Sequence, residues 1–228
     1  IIIAILDRTG LGQALTLILA AVGEDSLFLL LVLTAIVSIL LGMGMPTSAI
    51  YLLLATMIAP SLIKLGVNPI AAHMFVLYFG LMSMITPPVA IAAFAAASLS
   101  GAKPMETGMT AVRLGWIAYV IPFVFVLSPS LLGQGAVSDI LLATVTAFIG
   151  VWIASCGLIG YLFGPLSGIV RLIFFTAGIL LLLPADAIPH GLLINAAGLV
   201  IAIIAVFRDY SANKGRREQA ALDANTDG

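Results

Sequence analysis

Hydrophobic positions in this chain come in solid blocks, without strand-like alternation and without a single helical stripe, and few polar residues separate them. Apolar blocks of this kind are helices surrounded by apolar matter on every side, which predicts an all-α polytopic membrane protein. The block from Leu27 to Pro60 is broken in its middle. Its flanks, Leu27 to Leu41 and Ser48 to Pro60, hold fifteen and thirteen residues, and at a rise of 1.5 Å neither crosses a hydrocarbon core of ~30 Å. Between them Gly42-Met43-Gly44-Met45-Pro46-Thr47 puts glycine and proline where helical hydrogen bonding must stop. Lipid cannot satisfy the freed amides and carbonyls, so such a break must be buried in protein or line a watery cavity. Two arrangements meet that demand: a re-entrant hairpin of two half-helices, or one long broken helix that crosses once.

Ile70 to Ser100 repeats the theme, with Thr86-Pro87-Pro88 interrupting a second apolar block. The proline pair removes two amide donors and disfavours helical geometry at Thr86, which frees carbonyls near Met84 to Thr86. Two interrupted segments in succession predict discontinuous helices that meet at a site. Neutral carbonyl and hydroxyl oxygens held close together suit a small hard cation. The candidate ion and substrate site is therefore Gly42, Met43, Gly44, Met45, Pro46, Thr47 and Ser48 with Ser83, Ile85, Thr86, Pro87 and Pro88; Gly42, Thr47, Ile85 and Thr86 are the candidate ligands of such a cation. The competing reading of each break is a packing kink, and that of each hydroxyl is a bond to its own helix carbonyl.

Elsewhere the pattern predicts a boundary at Asp7 to Gly10, a short interfacial arm over Leu11 to Val22, a surface loop from Ser61 to Pro69 and a polar connection from Gly101 to Arg113. Leu114 to Leu127 reads as a helix, with Trp116 and Tyr119 near one end like an aromatic belt. Further helices are expected near Asp139 to Tyr161, Ile169 to Leu183 and Gly191 to Phe207, followed by a polar tail that is disordered or a frayed helix. Placing the basic tail in the cytoplasm puts the connection holding Lys103 and Arg113 on the same side. The Ser128 to Ser138 and Pro184 to His190 loops, which carry no lysine or arginine, then fall outside. Lys64 is the exception, and both ends of the Leu27 to Pro60 block fall outside, which favours the hairpin.

Composition agrees with this map and narrows the function. The chain is 62% hydrophobic and 8% charged, with a net charge of −1, so it is a membrane protein in contact with lipid and carries no basic footprint for nucleic acid. Cys156 is alone in an apolar run and reads as a small core residue. His73, Asp139, Asp186 and His190 lie near segment ends where water solvates them, and Asn195 reads as interhelical glue. Pro165 interrupts the Gly160, Gly164, Gly168 spacing, so a loop is expected there. No GxSxG, HExxH or paired intramembrane aspartates occur, which argues against an enzyme, and no cofactor is expected. With no initiator methionine, IIIAIL reads as the end of a helix that begins upstream.

LGMGMPTSAIYLLLATMIAPSLIKLGVNPIAAHMFVLYFGLMSMITPPVAIAAFAAAS closely resembles the C-terminal half of the large membrane subunit of tripartite ATP-independent periplasmic (TRAP) transporters. GMGMPT, Pro60, Gly66-Val67-Asn68-Pro69 and ITPPV are similar to the fused "4TM/12TM" permease of the TAXI branch. The resemblance covers residues 1–129. Residues 130–207 look like the extra hydrophobic region of some fusions, and 208–228 form a polar cytoplasmic tail. It implies a bacterial inner-membrane elevator-type symporter, built from two inverted repeats of which the first is missing here. Sodium would be the coupling ion, and a periplasmic substrate-binding protein would deliver an organic acid. Gly42 to Ser48 would be the hairpin tip and Ile85 to Pro88 the unwound helix. Many dicarboxylate-branch members carry an aspartate in this tip, whereas Pro46-Thr47 stands in the matching place, so a cation here would meet neutral oxygens. The alternatives are a binding-protein-independent carboxylate permease, a structural membrane module and, more distantly, an intramembrane enzyme.

Overall fold

The computed structural model describes residues 26–226 continuously, together with residues 8–10, 14, 17, 18 and 21. The expected helix end at Ile1 to Leu6 lies outside the described residues, as does most of the arm at Leu11 to Val22. The chain divides into two compact units, residues 1–133 and 134–228.

In the first unit, α1 (Leu27–Gly42), α2 (Thr47–Met57), α3 (Ala59–Lys64), α4 (Pro69–Met82), α5 (Ile91–Ser100), α6 (Pro104–Leu114) and α7 (Ile117–Leu127) are followed by a 3₁₀ turn, Pro129–Leu132. Caps fix two of the starts. Ser26 accepts from the Leu29 amide at 3.3 Å, and Asn68 accepts from Ile70 and Ala71 at 2.9 and 3.3 Å with Pro69 in the first turn. The middle of this unit is α4, which packs on α1, α2 and α7. Its Phe75, Val76 and Phe79 are buried with Leu30, Leu53 and Leu54. Phe123 of α7 closes the cluster with its ring edge-on to Phe75 and Phe79, centroids 5.3 and 5.6 Å apart.

Four sequence expectations are corrected here. The apolar arm expected to end at Pro60 continues as α3, so Thr47–Lys64 is long and apolar enough to cross a membrane. Pro60 falls in the first turn of α3, where no amide donor is required, and the chain bends only at Ile58. Ser61 and Leu62 are consequently buried in helix, and the expected surface loop shrinks to residues 65–68. The polar connection Gly101 to Arg113 is mostly helix: α6 begins at Pro104, with Glu106 in its first turn and Arg113 in its last, both suited to the helix dipole. Only Gly115 and Trp116 separate it from α7, and Pro104–Leu127 is again long enough to cross. The tail does not fray at Arg208, because its helix continues to Thr226.

The second unit holds α8 (Val137–Ile159), α9 (Gly168–Leu182) and α10 (Gly191–Thr226), with α9 packed on both neighbours. Its helices approach through glycines. A Cβ built at Gly150 would lie 2.8 Å from the Gly178 carbonyl, and one at Gly178 would lie 2.5 Å from the Gly150 carbonyl. Small residues at such a crossing are how membrane helices gain van der Waals contact without a hydrophobic drive. Polar side chains finish the helix ends. Arg171 donates to the Gly157 and Leu158 carbonyls at 3.1 and 2.8 Å, and Asn195, its amide nitrogen facing α9, donates to those of Leu180 and Leu183 at 2.9 Å. Asn195 is thus the expected interhelical glue, Cys156 is buried, and Gly160 and Gly164 lie at the loop between α8 and α9. Val137–Ile159 and Gly191–Lys214 bring the helices able to cross a membrane to four among the described residues, and no strand is found among them.

Gly178→Ala is expected to force α8 and α9 apart and cost about 1–3 kcal/mol, read as a lower unfolding temperature in detergent. Gly168→Ala, with nothing within 4 Å of its Cβ, should leave that temperature unchanged.

Candidate functional site

Each of the two breaks leaves its backbone unpaired for a reason visible in its residues. At the first, α1 ends on Gly42, the Met43 amide turns back to the Leu40 carbonyl at 3.3 Å, and Gly44 takes the left-handed φ of +81° that a side chain disfavours. Pro46 then starts α2 with no side-chain cap. The first amide of α2 with a backbone acceptor is Ile50, bonded to the Pro46 carbonyl at 3.0 Å. The amides of Thr47, Ser48 and Ala49 therefore open outward, with the exposed Thr47 and Ser48 hydroxyls beside them. This end of α2 offers donors to an anion and hydroxyl oxygens to a cation.

The second break is wider than the Thr86-Pro87-Pro88 of the sequence: α4 stops at Met82 and α5 starts at Ile91. Proline explains the width. The Ser83 carbonyl would accept from residue 87 and the Met84 carbonyl from residue 88, and neither has an N–H. Met84 recovers a partner because the chain folds back until the Ala92 amide reaches it at 3.0 Å. No backbone amide reaches the Ser83, Ile85, Pro87, Pro88 or Val89 carbonyl among the described residues. The Pro87–Pro88 bond is cis, and Ala90, buried at the start of α5, has a φ of +33°.

Hydroxyls in this break are already engaged. Ser83 donates to the Gly80 carbonyl at 2.6 Å. Thr86 bonds the Met82 carbonyl and shares a hydrogen bond of 2.7 Å with the Tyr119 hydroxyl. A hydroxyl that donates once keeps lone pairs for a further partner, so this pairing orients Ser83 and Thr86 without removing them as ligands. Tyr119 is half-buried with its hydroxyl on Thr86, which corrects its reading as part of an aromatic belt. Two glycines bring α6 and the α6–α7 junction against the same break: a Cβ at Gly108 would meet Pro87 Cγ at 2.9 Å, and one at Gly115 would meet Ile85 Cδ1 at 3.0 Å.

The two breaks touch through Gly42 and Ser83. A Cβ at Gly42 would lie 2.8 Å from both the Gly80 carbonyl oxygen and Ser83 Oγ, and one at Gly80 would meet Ile50 and Leu54 of α2. Helix α4 is thus clasped between both arms around the tip. Of the predicted residues, Gly42 and Ser83 are buried and joined, whereas Ile85, Thr86 and Pro87 are half-buried beside α6 and α7. Met43 and Met45 are partly covered, while Gly44, Pro46, Thr47, Ser48 and Pro88 are exposed.

Sequence reading missed Gly80, Tyr119 and a polar stripe on α1. Thr34 and Ser38 stand eight and four residues before Gly42, on one helix face, fully buried, and their hydroxyls have no hydrogen-bond partner. Their i, i+4, i+8 spacing with Gly42 was the available signal. Residues 42–49 and 82–90 include no Asp or Glu, so the oxygens the two breaks offer are neutral. His73 is half-buried in α4, its Nδ1 3.2 Å from the Tyr51 hydroxyl of α2.

Among known families, the profile described as "Tripartite ATP-independent periplasmic transporter, DctM component" matches residues 1–140, a span that includes both breaks. No curated protein and no solved structure matches the chain.

A double-mutant cycle of Thr86→Val and Tyr119→Phe should give a coupling of about 0.6 kcal/mol, and no more than about 1.7, measured from unfolding of the detergent-solubilised protein.

Proposed function

From the premise that the chain belongs to the family of DctM components of tripartite ATP-independent periplasmic transporters, we propose that it moves an organic acid inward with sodium as the coupling ion. Membership makes it a part of a membrane permease and a secondary transporter, and not an enzyme family member. The further reading assigns the roles. A periplasmic substrate-binding protein delivers the acid, the permease sits in the bacterial inner membrane, and its C-terminus is cytoplasmic. The resemblance of GMGMPT and ITPPV to TAXI-type fused permeases supports a fused subunit and an inverted partner repeat.

One observation carries the reading: two chain breaks, one opened at Gly44 and Pro46 and the other deprived of helical hydrogen bonds by Pro87 and Pro88, meet at Gly42 and Ser83. Sodium is a hard cation and takes carbonyl and hydroxyl oxygens. The Ser83, Ile85 and Pro87 to Val89 carbonyls, with the Thr47, Ser83 and Thr86 hydroxyls, supply oxygens of that class. The outward amides at Thr47 to Ala49 supply the complementary donors for a substrate carboxylate. A cation between the breaks neutralises no protein charge, so its binding also strengthens the pull on the carboxylate. That is electrostatic coupling between ion and acid.

The test is uptake into proteoliposomes holding the intact permease. Thr47→Ala and Thr86→Ala should each weaken the apparent sodium affinity about 5- to 20-fold, while Thr86→Ser, which keeps the hydroxyl, stays near wild type. An unchanged sodium response in both alanine variants removes these assignments. Omitting the binding protein should abolish uptake; normal uptake without it makes the protein a binding-protein-independent permease.

A further inference from the structure

The second unit carries a surface that the transport reading does not use. Along α10 the apolar run ends at Phe207, and Arg208 is the first charged residue. Beside it, between α9 and α10, lies a groove of about 420 Å³, within the ~300–1,000 Å³ of small-ligand sites. Its walls are apolar, chiefly Ile169, Val170 and Ile173 of α9 facing Ile201 and Ile204 of α10, and Ser167 and Arg208 form its polar end. Ile204 and Arg208 also border a second depression of about 490 Å³, lined further by Ile203, Phe207 and Ser211. Two apolar grooves thus share one cationic rim residue.

The charges at that rim leave Arg208 available. Asp209 borders the first groove, but Oδ2 accepts from the Phe163 amide at 3.0 Å and Oδ1 from Asn213 Nδ2 at 2.9 Å. The side chain of Arg171 is spent on the Gly157 and Leu158 carbonyls. Arg208 is exposed, and no carboxylate pairs with it among the described side chains. Ser167 stands at the start of α9, where no side-chain bond caps the helix. The exposed Tyr210 lies two residues from Arg208, and its ring meets that of Phe163 edge-on at 5.3 Å. Tyrosine at the edge of an apolar run marks the level of lipid headgroups.

We propose that this surface binds an anionic glycerophospholipid, with its phosphate on Arg208 and Ser167 and one acyl chain in each groove. Guanidinium and hydroxyl donors match phosphate oxygens. The grooves decide for a lipid over free phosphate, because a bare anion has no use for apolar walls. Two chains with one headgroup also fit two grooves with one cation. Arg208 stands where hydrocarbon gives way to charge, the depth at which a phospholipid carries its phosphate.

Native mass spectrometry of the intact permease tests this, with phosphatidylglycerol and phosphatidylcholine of identical chains as probes. Wild type should bind the first phosphatidylglycerol about fivefold more tightly than phosphatidylcholine. Arg208→Gln should erase that preference with phosphatidylcholine binding unchanged, and Arg208→Lys should keep part of it. Ile204→Trp, which fills the ridge between the grooves, should weaken both lipids by a similar factor. A large excess of inorganic phosphate should not displace the lipid. Equal affinities in wild type, a preference that survives Arg208→Gln, or displacement by phosphate would overturn the proposal, the last by showing a bare anion site.

Discussion

A backbone amide or carbonyl at membrane depth has no water to bond, and the first unit is arranged around the places where proline makes that constraint bite. Pro87 and Pro88 deny hydrogen bonds to the carbonyls four residues earlier. One of these, Met84, is rescued by folding the chain back to Ala92, and Ser83 is not. Pro46 and Gly44 likewise end α1 and open the start of α2. Pro122, inside α7, also removes a helical bond, but at helix starts proline does no such harm. Pro60, Pro69 and Pro104 stand in first helical turns where no donor is needed, and those helices keep their length. The difference between a chain break and a helix start is thus the position of proline relative to the carbonyls it deprives.

Close glycine packing is the second requirement. A break with free oxygens becomes a candidate site only if another element is near enough to share them, and α1 reaches α4 because Gly42 has no side chain to hold it away from Gly80 and Ser83. Gly108 and Gly115 bring α6 and its junction with α7 to the other side of the same break, and Tyr119 ties it down through Thr86. The second unit uses the same device with the opposite result. Gly150, Gly157 and Gly178 draw α8 and α9 together while both helices run unbroken through the contact.

Much of this was legible in the residues because block hydropathy and proline are strong local signals. The positions of both breaks, the helices of the second unit and the neutral character of the site followed from them. The extent of the breaks did not. The sequence marks Thr86-Pro87-Pro88, but the unwinding starts at Ser83, since proline acts on carbonyls three and four residues upstream. Pro60 was misread as a terminator because first-turn and interior prolines look alike until the helix frame is known. The polar residues Lys103 to Arg113 suggested a loop although they form an amphipathic helix, α6, continued after two residues by α7. Tyr119 reads as an aromatic-belt residue from its place near one end of a helix, and its bond to Thr86 depends on tertiary placement across 33 positions. Asp209 and Asn213, buried within a polar tail, are of the same kind.

The central claim is that sodium is held by neutral oxygens where the two breaks join, and ligand-linked stability reads it without requiring transport. The measurement is the unfolding temperature of the intact permease in sodium chloride against potassium chloride at equal ionic strength, for wild type, Thr86→Ser and Thr86→Ala. The account predicts a sodium-specific rise in wild type and Thr86→Ser that is reduced in Thr86→Ala. An equal rise in potassium, or the same sodium increment in all three proteins, would contradict it.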